Sequence, residues 1–181
     1  LTEARDYIER LKNRDQMAYR ELIEEYSNKL LRIAYYIVKD QEMAEDIVQE
    51  SLISIYKNID GFRGDSQLST WLTRVVINNA KRVVGKKRVI NFFPLKDLLI
   101  KDHKPLPHEV VIKKEKEEVL KEILMSLPVK YKEVLVLYFY EELKIKEISE
   151  ILDISESGIK SRLKRGKEKI RLEMERRALN L

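Results

Sequence analysis

The sequence predicts an all-α protein of two small helical domains joined by a flexible linker, with a helix-turn-helix in the second. Three observations carry that expectation. Apolar residues recur at helical spacing through most of the 181 residues, and no stretch alternates as a strand would. Glycine (5) and proline (4) are scarce while Leu, Ile, Glu and Lys abound, a composition that favours helices. Three of the four prolines, Pro94, Pro105 and Pro107, cluster in the one segment that interrupts the periodicity.

Helices are expected over about 2–13, 16–38, 41–59, 67–87, 113–125, 129–140, 144–152 and 156–177. They group into a domain over 1–88 and a second over 113–181, with 89–112 as the linker. The linker also holds the Phe92–Phe93 pair and both histidines. His103 and His108 have neither cysteine nor clustered carboxylates beside them, so no metal site is expected, and no cofactor.

With 44% apolar residues the chain has material for a core, and with 37% charged residues it is neither a membrane protein nor a disordered tail. No apolar run approaches the roughly 20 residues a bilayer requires, and no signal-peptide pattern opens the sequence. Leu1 stands where an initiator methionine would, which points to a trimmed start. The absence of cysteine removes disulfides, thiolate metal sites and cysteine nucleophiles together. A cytoplasmic location is expected.

The net charge of +5 is unevenly spread. Residues 1–60 carry 9 basic against 13 acidic side chains, whereas 71–90 carry six basic ones and no acid. Residues 160–171 add seven basic side chains against Glu168 alone. Two separated basic blocks suit two contacts with a polyanion, and the acidic start suits a different partner.

In 41–59, Ala44, Ile47, Val48, Leu52, Ile55 and Ile59 form one apolar face. The opposite face carries Glu45, Asp46, Gln49, Glu50, Ile53, Tyr56 and Lys57. An exposed isoleucine and tyrosine on an acidic face gain nothing unless a partner covers them. The next helix, 67–87, follows a loop loosened by Gly61 and Gly64, with Ser66 as its expected cap. Wheel geometry turns Leu68, Leu72, Val75, Val76, Asn79 and Val83 inward and Arg74, Ile77, Asn78 and Lys81 outward. Trp71 falls at the border, where it reads both as core and as a base-stacking wedge. Tyr7, Tyr19, Tyr26, Tyr35 and Tyr36, among Leu and Ile, read as packing residues.

The C-terminal motif lies in 144–171. Ile145, Ile148, Ile151 and Leu152 stripe a short helix, Asp153 and Ile154 turn, and Ser155 caps the next helix with Glu156 at its positive end. Ile159, Leu163, Gly166 and Ile170 face inward, leaving Lys160, Ser161, Lys164, Arg165 and Glu168 outward. Long donors beside a short hydroxyl are what a recognition helix needs in a major groove.

Several stretches carry a family resemblance. Ser126-Leu127-Pro128 through Tyr131, Val134–Tyr138, Ile148–Leu152 and Gly158-Ile159-Lys160-Ser161-Arg162-Leu163-Lys164-Arg165-Gly166 resemble the −35-reading domain of extracytoplasmic-function sigma factors, group 4 of the sigma-70 family. Ala44-Glu45-Asp46-Ile47-Val48-Gln49-Glu50 resembles the helix with which sigma factors grip the β′ clamp of RNA polymerase. Phe62–Arg88 is similar to the −10-reading part, in which a loop pocket captures a base flipped from the non-template strand. The resemblance covers residues 3 to 177 and implies an alternative sigma factor directing promoter-specific initiation in envelope stress, not an enzyme.

Carried over residue by residue, it implies polymerase contacts at Asp46, Gln49, Glu50 and Ile53. It implies −10 contacts at Phe62, Arg63, Asp65, Trp71, Arg74, Asn78 and Lys81, and −35 contacts at Lys160, Ser161, Arg162, Lys164 and Arg165. The implied partners are core polymerase through its β′ clamp and β flap, promoter DNA, and a membrane-bound anti-sigma factor that holds the chain at the inner membrane face. No small-molecule substrate is implied. Linker length agrees: 24 extended residues reach up to roughly 80 Å, and elements about 17 base pairs apart lie roughly 58 Å apart on DNA. The alternative is a helix-turn-helix repressor or activator with an N-terminal effector domain. It explains 113–177 but gives the second basic helix and the acidic face no task. A nuclease or recombinase lacks converging carboxylates or histidines.

Overall fold

The computed structural model describes residues 2–90 and 118–178, with side chains over 5–85 and 118–177. The expected linker core and both histidines lie outside the described residues, as does the start of the helix expected from residue 113. The described residues form α1 (Thr2–Lys12), α2 (Gln16–Val38), α3 (Gln41–Asn58), a 3-10 turn at Ile59–Gly61 and α4 (Leu68–Ile90). After the gap come α5 over 118–126, α6 (Val129–Leu135), α7 (Ile145–Leu152) and α8 (Glu156–Ala178). Among the described residues there is no strand.

Local chemistry sets the helix boundaries. Asp15 and Asp40 cap α2 and α3, accepting from the amides of Met17 (2.8 Å) and Met43 (2.9 Å). Two residues, Lys39 and Asp40, join α2 to α3: Lys39 takes φ 64° and its amide donates to the Tyr35 carbonyl. In the helix-turn-helix, Asp153 takes φ 54° after α7, and Ser155 Oγ accepts from the Gly158 amide at 3.2 Å, as expected of the cap. At α4 the expectation shifts by one residue. The first helical bond runs from Trp71 N–H to the Gln67 carbonyl, so Gln67 and not Ser66 stands at the boundary.

In the first domain α2 packs against both α3 and α4, burying Leu22, Leu30, Ile33 and Ile37 with Ile47, Ile55, Leu72 and Val76. Leu11 anchors α1 to this core. In the second domain α6 lies on α8 so closely that a Cβ at Gly166 would sit 3.0 Å from Leu135 Cδ1. Glycine at that position is what permits the approach. Ile159 and Leu163 of α8 are buried, as the wheel predicts.

Between α6 and α7 the helix widens into a π turn over Val136–Tyr140, with the Glu141 amide bonded five residues back to Val136. This turn and α6 rest against α2, and α7 rests against α4. The domains are thus in contact. Lys132 of α6 is 0% exposed, and its Nζ reaches the Met125 carbonyl at 3.4 Å. Among the described residues no carboxylate pairs with it. Burial, and secondarily the charge of Lys39, push the ammonium down from 10.5 to about 8.

Because the folded Lys132 releases its proton before the unfolded one does, stability rises with pH between about 8 and 10.5 and is lowest, and flat, below that window. Lys132→Met is expected to stabilise the chain by about 1–3 kcal/mol at neutral pH, with the advantage shrinking towards pH 10. Urea melts at both pH values measure this. An advantage that does not change with pH would show that the ammonium is not desolvated.

Candidate polymerase-binding and nucleic-acid interface

Three surfaces gather the residues singled out in the sequence. On α3, Asp46, Gln49 and Glu50 are exposed in a row, and Ile53 (55%) and Tyr56 (45%) follow on the same face. Beside them a groove of about 520 Å³ opens between α2 and α3, with Ile23, Leu52, Ile53 and Tyr56 in its wall. Its end is fixed by Arg14, whose guanidinium lies 5.0 Å from the Tyr56 ring centre and pairs with Asp60 at 2.7 Å. The Tyr19 ring supports Tyr56 at 4.7 Å. Glu50 meets Arg82 of α4 at 3.7 Å, a solvated pair of little energetic weight. Ile23 and Met17 are also exposed, next in sequence to the buried Leu22 and Ala18, and are not among the residues singled out in the sequence.

The second surface is the loop before α4 and α4 itself. Arg63 and Asp65 are exposed on either side of Gly64, whose φ of 80° requires glycine. Phe62 is buried, with its ring 5.4 Å from that of the half-buried Trp71, so both aromatics serve packing in this arrangement. The loop lines a wide cleft whose opposite wall includes Lys144, Lys146, Glu147 and Glu150 around the start of α7. Asn78 points to solvent. Asn79 points inward, donating Nδ2–H to Ser51 Oγ at 2.8 Å, while Ser51 donates to the Ile47 carbonyl.

One facing assignment is corrected. Ile77, placed outward by the wheel, is 1% exposed, because the wheel knows only the core of its own domain. Its neighbours on that stripe meet the second domain instead of solvent. Arg74 Nη2 donates to the Glu150 carbonyl of α7, and Lys81 Nζ lies 2.7 Å from Glu133 Oε2 of α6. Arg74 Nε and Glu133 Oε2 are both buried and, among the described residues, without a hydrogen-bond partner, so Lys81 meets that oxygen as a close ion pair and not as an aligned hydrogen bond.

The third surface is α8. Lys160, Ser161, Lys164 and Arg165 are exposed together on one face. Arg162 turns back and donates to Glu133 Oε1 at 2.9 Å. Glu133, 1% exposed in its side chain, therefore carries a cation on each oxygen. Among the described residues no cluster of three or more His, Asp or Glu suits a metal ion.

A cationic helix-turn-helix, a second basic helix behind a glycine loop, and a separate acidic–apolar face suit a class of helical proteins with two surfaces for a polyanion and a third for another macromolecule. Comparison with known proteins agrees. The family model "Sigma-70 region 2" matches residues 22–89, and "Sigma-70, region 4" matches 117–170. The ECF RNA polymerase sigma factor SigW of Bacillus subtilis is 30% identical over 92% of this chain and 94% of its own. The RNA polymerase sigma-H factor of Pseudomonas aeruginosa is 30% identical over 94% of both chains. In fold, the chain resembles the sigma factor RpoE of Bartonella quintana, solved with the anti-sigma factor NepR, at TM-score 0.70 and 17% identity over 87% of this chain and 96% of that one. It also resembles CnrH, solved with the cytosolic domain of CnrY, at TM-score 0.70 and 16% identity over 95% and 97%.

The chain belongs to the sigma-70 family of RNA polymerase sigma factors, in its extracytoplasmic-function group. As an alternative sigma factor it binds core polymerase and directs transcription initiation at selected promoters. The match of region 2 across the first domain leaves no room for the repressor alternative.

The two adjacent asparagines should separate by role. Asn79→Ala removes a part-buried bond that ties α4 to α3 and is expected to cost about 1–2 kcal/mol of stability. Asn78→Ala, at an exposed site, is expected to stay within about 0.5 kcal/mol. Thermal melts of both variants decide this, and equal losses would mean the Ser51 bond is without weight.

Proposed function

We propose that α3 docks on the β′ clamp through Asp46, Gln49, Glu50 and Ile53, with the second domain on the β flap. In this reading α8 reads the −35 element through Lys160, Ser161, Lys164 and Arg165, with Arg162 holding the helix from behind. The loop Phe62–Asp65 and α4, through Arg74, Asn78 and Lys81, capture the −10 strand, with Trp71 and Phe62 shaping the pocket. The carrying observation is the α3 face: an exposed isoleucine and tyrosine beside three polar side chains and an open apolar groove. Such a surface is stable in water only at a cost that a macromolecular partner removes.

No described helix is long and apolar enough to cross a membrane, and the reading places the chain in the cytoplasm, where polymerase is. An anti-sigma factor and an envelope-stress signal complete it, the first supported by the sigma factor RpoE of Bartonella quintana, solved with the anti-sigma factor NepR.

Gln49→Ala with Glu50→Lys is expected to weaken core-polymerase binding by about 2–4 kcal/mol, as loss of central polar contacts does. Helicity should hold, since both side chains are exposed. Unchanged polymerase affinity would sink the α3 assignment.

On α8, Lys160→Ala and Arg165→Ala are each expected to cost about 1–3 kcal/mol in use of promoters with an upstream element. A residue that reads a base gives a loss that varies with promoter sequence. One that holds phosphate gives a uniform loss and lowers the salt slope by about one. In vitro transcription over varied promoters and salt separates these outcomes.

A further inference from the structure

The stripe of α4 assigned to DNA is already occupied within the chain. Arg74, Ile77 and Lys81 recur at helical spacing on one side of α4. The carbonyl of Glu150 holds Arg74, the carboxylate of Glu133 holds Lys81, and Ile77 between them is buried. A second set of contacts ties the domains along α2. Arg32 forks onto Glu141 with bonds of 2.7 and 3.2 Å, and the Glu141 side chain is only 4% exposed. Beside it the Tyr36 and Tyr140 rings lie 5.0 Å apart. The α3 face, by contrast, is uncovered in the same arrangement.

We propose that Glu133 and Glu141 form a charge latch that holds the two domains closed and withholds Arg74 and Lys81 from nucleic acid. The inference rests on the assignment of α4 to strand capture. Polymerase can reach α3 while the latch is shut, whereas the promoter cannot reach α4, so the order of binding is built into the fold. A phosphate and the Glu133 carboxylate compete for the same ammonium, and one ammonium cannot pair closely with both.

The latch is also arranged to release. When Lys81 leaves, Glu133 keeps Arg162 on its other oxygen, so no carboxylate is stranded without a partner. Opening also lets the orphaned Nε of Arg74 reach water. Ile77 works the other way: its exposure on opening favours reclosure.

The absence of cysteine makes the test clean. Asn28→Cys and Lys167→Cys, both exposed and one in each domain, take spin labels whose separation reports closure in the full chain. Arg32→Gln and Glu141→Gln break the same ion pair from opposite sides and touch no residue assigned to polymerase or DNA. The parent chain should give a single narrow distance, and each variant a longer, broader distribution. Each variant should also bind labelled mixed-sequence single-stranded DNA about fivefold more tightly, since apparent affinity scales with the open fraction. Adding Lys81→Met to Arg32→Gln should abolish that gain. Glu133→Gln should open the chain as well, with circular dichroism showing whether the second domain survives loss of the Arg162 bond.

Unchanged distances in both Arg32→Gln and Glu141→Gln would overturn the latch. So would opening with no gain in strand affinity, or a gain that survives Lys81→Met. A chain that opens and binds strand as described but fails to bind core polymerase would sink the α3 assignment and leave the latch standing.

Discussion

Glu133 sits where the three working parts of the molecule meet. Its carboxylate is nearly removed from water, and an isolated buried anion would cost several kcal/mol. Two cations compensate for that loss. Arg162 binds it from within the second domain, which fixes the back of α8 and leaves Lys160, Ser161, Lys164 and Arg165 pointing outward. Lys81 binds it from the first domain, which ties α4 to the second domain. One anion thereby orients the recognition helix and registers the two domains. Its neighbour Lys132 is the reverse case, a buried cation with no carboxylate beside it among the described residues, and that charge the fold tolerates only by weakening its basicity.

Most helices were legible in the sequence because each domain buries one face of each helix, and a 3.6-residue period records that. The Ser155 cap and the inward Asn79 were legible for the same reason: local geometry decides them. What escaped depends on contacts between elements far apart in sequence. Ile77 reads as exposed because nothing local tells a helix that a second domain will cover its other side. Lys132 and Glu133 look like an ordinary solvated pair on an amphipathic helix, yet both are buried by tertiary packing. The resemblance implies a −10 contact at Phe62, and its burial against Trp71 depends on the 3-10 turn that precedes it.

The surfaces also differ in how they are built. The α3 face is rigid, since Ser51 and Asn79 clamp it to α4 and Arg14 ties its end to the loop after α1. The loop before α4 has only short-range anchors and a glycine in the left-handed region. A pre-formed docking face beside an adaptable loop suits a protein that binds a folded partner and then a strand whose bases must change position.

The π turn at Val136–Tyr140 sets the phase of everything that follows it. A π turn holds one residue more than the α-helix it interrupts, and each residue advances a helix by about 100°. Tyr140 meets Tyr36, and Glu141 meets Arg32, because of that added residue. Deleting one residue here would leave every side chain chemically intact and rotate the junction out of register. Relatives that lack the turn should therefore align with a one-position gap between α6 and α7. In such relatives, whatever holds the domains together has to be sought in other side chains.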